Sequence, residues 1–218
     1  FHSRAIVDGK SRKQNIKQNM KEVDALGLES GNMDSVISAL EKISKGKNKM
    51  YALVAKIILS KKGLLSRINF VMDVSTHEFA GEYTVDATGT PQVNINLARR
   101  AEGGVEGVLL HELVHAITFG ILRTDPKNRT AKENESIAAL EALFQQVKAE
   151  ANKGPQNGLV DYAMSNLDEF LTHILVSPKF QKYVKGIRVP DGSRNLLQRI
   201  LIRLGQLMGV PSRQYSEA

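Results

Sequence analysis

The stretch GVLLHELVHAITFG, residues 107–120, sets two histidines four apart, with a glutamate directly after the first, inside an otherwise apolar run. An α-helix advances 3.6 residues per turn, so His111 and His115 stack on one face and both imidazoles can reach a single ion. Glu112 lies about a quarter turn round, where its carboxylate can hold a water on that ion without being a ligand. Five His and fourteen Glu among 218 residues would form this H-E-x-x-H arrangement in fewer than ~1% of shuffled orders. The competing reading is an ordinary buried helix with satisfied histidines. Two His and a Glu in register among Val108, Leu109, Leu110, Leu113 and Val114 are costly to bury there unless something holds them.

With 42% hydrophobic and 24% charged residues, the composition is that of a globular protein with one sizeable core and a tail. No apolar run approaches the ~20 residues that span a bilayer. The start, FHSRAIVDGK, lacks the apolar centre of a signal peptide, so no membrane insertion is expected. It also lacks an initiator Met, which suits a processed product or a segment of something longer. The chain has no Cys, so disulfides and thiolate ligands are excluded and any zinc would rest on His and carboxylate.

The net charge of +7 is unevenly placed: residues 1–62 hold 13 Lys+Arg against 6 Asp+Glu, and residues 63–218 hold 17 against 17. Residues 1–30 read as a basic, polar, loosely packed arm that could meet an acidic partner or nucleic acid. No aromatic residue stands between Phe1 and Tyr51 to stack on bases, which favours a solvated segment.

Residues 31–218 read as a single domain. Met33, Val36, Ile37, Leu40 and Ile43, then Met50, Leu53, Val54, Ile57 and Ile58, follow helical spacing and form a helical part over 31–63. Residues 67–98 turn β-branched and aromatic, with ATGTP as turn chemistry, and predict a small, mostly antiparallel sheet beside the motif helix at 103–120. Val93, Ile95 and Leu97 alternate with Asn94 and Asn96, so that strand is half-buried; it could run along a cleft edge and pair with an extended substrate. Residues 131–210 read as helices, among them the NLDEFLTHILV segment and a last helix packing through Leu197, Ile200, Leu201, Leu204 and Leu207. The expected class is α+β with helix dominant.

Two histidines need a third protein ligand, with the fourth position left to water. Thr118, Ile121 and Leu122 stand where a third His would follow in H-E-x-x-H-x-x-G-x-x-H, so that pattern is absent. Asp168, Glu169 and His173 are polar groups embedded among Leu167, Phe170, Leu171, Ile174 and Leu175, and any of them could supply the ligand. Asp168 could instead cap its own helix, and Asp168 or His173 could orient a ligand from behind.

HELVH followed by a helix bearing DEF resembles the Glu-zincin metallopeptidases. More narrowly, NLDEFLTHILVSPKFQKYV is similar to a segment of the metallopeptidase domains in large polyvalent proteins of phages and mobile elements. The resemblance covers about residues 67–185. It implies a zincin-like fold with Zn²⁺ on His111, His115 and Glu169, Glu112 as the base, a peptide or protein substrate, and a phage virion or host cytoplasm as location. Tyr162, Tyr183 and His173 are the nearby groups that could stabilise an oxyanion. The alternative is a catalytically silent zincin-fold module, a virion or injected cargo protein; a glutamate at position 112 would have no duty in a closed structural site.

Overall fold

The computed structural model describes residues 11–153, 157–187 and 196–209. The chain divides into two units, Phe1–Ile117 and Thr118–Ala218, and the boundary falls inside one continuous helix. Helix dominates and a small sheet accompanies it, as the α+β expectation requires.

The first unit opens with α1 (Arg12–Leu26), α2 (Met33–Ile43), α3 (Lys49–Leu59) and the short α4 (Lys62–Leu65). Asn32 and Asn48 cap α2 and α3 by accepting from the backbone N–H groups of Ser35 and Tyr51. The apolar stripes read from the sequence are the packed faces: Val36, Leu40, Val54 and Ile58 have no exposed surface.

Residues 12–26 form a helix where a loosely packed arm was expected; residues 1–10 of that arm lie outside the described residues. Val23 and Leu26 bury its last turns, but the buried side chains before them are Asn15 and Asn19, which is why a search for apolar periodicity passes over it. Asn15, Asn19 and Glu22 share one face at spacings of four and three, and both asparagines are buried. Asn19 donates to the carbonyls of Leu97 and Arg99 at 3.0 and 2.6 Å. The α1 helix is thereby laced to the loop that precedes the motif helix.

The strands β1 (Asn69–Asp73), β2 (Gly81–Val85) and β3 (Pro91–Asn96) lie in the order β1-β3-β2. The sheet is mixed rather than mostly antiparallel: β2 pairs antiparallel with β3, and β1 pairs parallel with it, Phe70 facing Val93 and Met72 facing Ile95. The turn 86–90 makes β2 and β3 a hairpin, Asp86 accepting from the N–H groups of Thr88 and Thr90 at 2.8 Å. The Thr88 hydroxyl, the first of the hydrogen bonds to this carboxyl, helps hold its pKa below the usual value. The connection 74–80 is no tight turn, so β1 reaches the opposite edge of β3 and runs alongside it. With both its edges paired, β3 has no edge for an extended substrate.

Helix α5 (Gly104–Arg123) carries the motif. Gly103 and Gly104 begin it at φ +81° and +64°, a conformation that disfavours a side chain. The Glu22 carboxylate accepts from the Val105 N–H at 2.9 Å and from Arg100 at 2.6 Å, satisfying a donor of the first helical turn. A Cβ on Gly104 would run into Glu22 and come within 2.7 Å of Arg100. Burial, then Glu102 and Glu106, push the Tyr51 phenol up to about 12. Among the described residues α5 is the one helix long and apolar enough to cross a membrane, although the sequence suggested no such run, and most of it is buried inside the protein.

The second unit holds the end of α5, a 3-10 turn (Pro126–Asn128), α6 (Ala131–Ala151), α7 (Gly158–Ala163), α8 (Leu167–Val176), α9 (Pro178–Gly186) and α10 (Leu196–Met208). A capping box of Thr130 and Glu133 starts α6. Every residue from Asp168 to Val176 is buried. Phe170 meets Phe144 and Phe180 with ring centroids 5.2 and 6.0 Å apart, and α10 packs through the five apolar residues expected of it.

Two substitutions test these roles by urea unfolding. Glu22→Ala is expected to lower stability by about 1–2 kcal/mol through loss of the helix-end bond and its Arg100 partner. Gly120→Ala, at an exposed position of α5 with nothing within 4 Å of the added Cβ, is expected to raise it by about 0.5–1 kcal/mol.

Candidate metal centre

In the first unit, α5 presents His111 at 3% exposure and Glu112 and His115 at 0%. The two rings meet edge to face, and their Nε2 atoms are 3.1 Å apart. Two nitrogens sharing one tetrahedral zinc at the usual bond length stand about 3.3 Å apart, so the spacing of this pair is close to that of two ligands of one ion. The ring nitrogens can equally share a proton, and both arrangements need them on the same side of the helix.

Glu112 is covered by the start of β2. A Cβ on Gly81 would lie 2.5 Å from Val108 Cγ1 and 2.6 Å from Glu112 Oε1. Only a glycine lets the strand backbone come this close to the carboxylate. The sequence offered no sign of it, because the contact joins residues 31 positions apart.

In the second unit, the α8 candidates separate into different roles. Asn166, not Asp168, caps the helix, accepting from the Glu169 N–H at 3.0 Å. Asp168 accepts a short hydrogen bond from the Thr118 hydroxyl and so ties α8 to the last turns of α5. Glu169 is 1% exposed, and its Oε1 accepts from Tyr162 Oη at 2.9 Å. His173, one turn further, places Nε2 3.8 Å from Glu169 Oε2.

The His173 ring stands edge to face with Tyr162 at 5.6 Å and with Phe180 at 6.0 Å. Of the three donors named from the sequence, Tyr162 and His173 come to Glu169. Tyr183 stacks on Phe180 instead, and burial, then Glu150 and Asp161, raise its pKa. Tyr162 lies on α7 and Glu169 on α8, so no single helical period links them.

Compared with protein-family models, curated proteins and solved structures, the chain matches none.

Gly81→Ala tests the close cover over Glu112. The added methyl overpacks the Val108 and Glu112 side chains, and a loss of about 1–3 kcal/mol is expected in thermal or urea unfolding.

Proposed function

We propose that this protein is a zinc-dependent metallopeptidase in which His111, His115 and Glu169 hold the ion and Glu112 is the base. The observation that carries the reading is the 3.1 Å approach of two buried imidazole nitrogens on a helix that also buries a glutamate between them. Two nitrogens and a carboxylate oxygen, with no thiolate in the chain, are a donor set suited to zinc. Glu169 suits the third position by its own chemistry: it is a carboxylate 1% exposed on α8, held at Oε1 by Tyr162.

Bound there, the ion would supply a Lewis acid. Glu112 accepts the proton of an attacking water and returns it to the departing amine. His111 and His115 would hold the ion through their ring nitrogens. The resemblance to domains of phage polyvalent proteins, which rests on sequence pattern, would place the substrate among proteins of a virion or an infected cell.

One observation favours a second reading. His173 lies one turn beyond Glu169 on α8, its Nε2 3.8 Å from Glu169 Oε2, and as a fourth protein donor it would close the position that a catalytic site leaves to water. The protein would then be a silent binding or structural module.

Zinc content and peptide hydrolysis of wild type, Glu169→Ala and Glu112→Gln separate these readings. A peptidase is expected to hold one zinc per chain in wild type and Glu112→Gln and to lose it in Glu169→Ala. Hydrolysis should fall by roughly 10²–10⁴-fold in Glu112→Gln. Full zinc occupancy without hydrolysis of a diverse peptide library supports the silent module, and a wild type that takes up no zinc overturns both readings.

A further inference from the structure

We infer that Tyr162 is a positioning residue for the metal centre: its phenol grips Oε1 of Glu169 and so leaves Oε2 as the oxygen offered to the ion. The inference rests on the reading of Glu169 as a ligand. A glutamate reaches its ligand atom through three rotatable bonds, and an unheld carboxylate can rotate or offer both oxygens. Ligating carboxylates are accordingly hydrogen-bonded from behind, and losing that partner weakens metal affinity about 10–100-fold.

Tyr162 is built for such a hold. The N–H of Met164 bonds back to the Val160 carbonyl and that of Ser165 to the Tyr162 carbonyl, which closes α7. Asn166 then starts α8 at once, with its side chain on the Glu169 N–H and its carbonyl accepting from Phe170. Three residues thus join the two helices, and both ends of the turn are bonded to its own backbone. The phenol arrives at Oε1 at 2.9 Å. Its ring stands at 88° against His173, so the hydroxyl cannot swing away from Glu169 without giving up that ring contact. His173 lies toward Oε2, 3.8 Å away, so the two oxygens of Glu169 face different neighbours.

The experiment compares wild type, Tyr162→Phe and Glu169→Ala by zinc affinity from chelator competition, the visible spectrum of the Co²⁺-loaded protein, and the unfolding midpoint of the metal-free protein. Phe keeps the ring against His173 and removes only the hydroxyl. Expected for Tyr162→Phe are a 10–100-fold weaker zinc affinity and an altered Co²⁺ spectrum, together with a lower metal-free midpoint because a buried carboxylate loses a hydrogen bond. Wild-type affinity and spectrum in Tyr162→Phe, with metal lost in Glu169→Ala, would overturn the positioning role while leaving Glu169 a ligand. The same holds if Tyr162→Phe lowers the metal-free midpoint with an unchanged spectrum, since the hydroxyl would then serve the fold alone. Wild-type metal binding in Glu169→Ala would overturn the ligand reading itself, and this inference with it.

Discussion

Burial of His111, Glu112, His115 and Thr118 along one apolar helix is the constraint on which the rest of the structure turns. Each of these side chains is almost wholly removed from water, and a buried polar group costs several kcal/mol unless it is met by a partner. The protein meets this cost with side-chain partners. The imidazoles of His111 and His115 face one another, and Thr118 gives its hydroxyl to Asp168.

The start of α5 shows the same economy. A long apolar helix needs its first N–H groups satisfied, and here a carboxylate from α1 does part of that work while its guanidinium partner Arg100 is bound to Asn19 as well. The consecutive glycines at 103 and 104 keep side chains out of the way of this junction. Tyr51 and Glu106 crowd the same end of the helix, and burial raises the pKa of both, with nearby carboxylates adding to the rise. The segment that the sequence presents as a basic arm is therefore part of the support of the motif helix.

Helix α8 repeats the problem in the second unit. It is buried from Asp168 onward yet carries two acids, a threonine and a histidine. The acids have taken separate duties: Asp168 ties α8 to the end of α5, and Glu169 is held by Tyr162 with His173 close by.

The sequence by itself determined the elements whose signal is local. H-E-x-x-H names a shared face by helical period alone, and the apolar stripes of α2, α3 and α10 are the faces that pack. The hairpin turn at 86–90 is legible in ATGTP. The tertiary structure alone decided what depends on residues far apart in the chain. The parallel pairing of β1 with β3 follows from which strand edge remains free after the hairpin forms. Gly81 at Glu112, Glu22 at the start of α5 and Tyr162 at Glu169 are pairings between different elements, and they obey no period. The role of α1 belongs with them, because the bonds that lace it to the start of α5 come from Asn and Glu side chains. Apolar periodicity reports burial by the hydrophobic effect, whereas a polar side chain is buried only when a distant partner arrives to bond it.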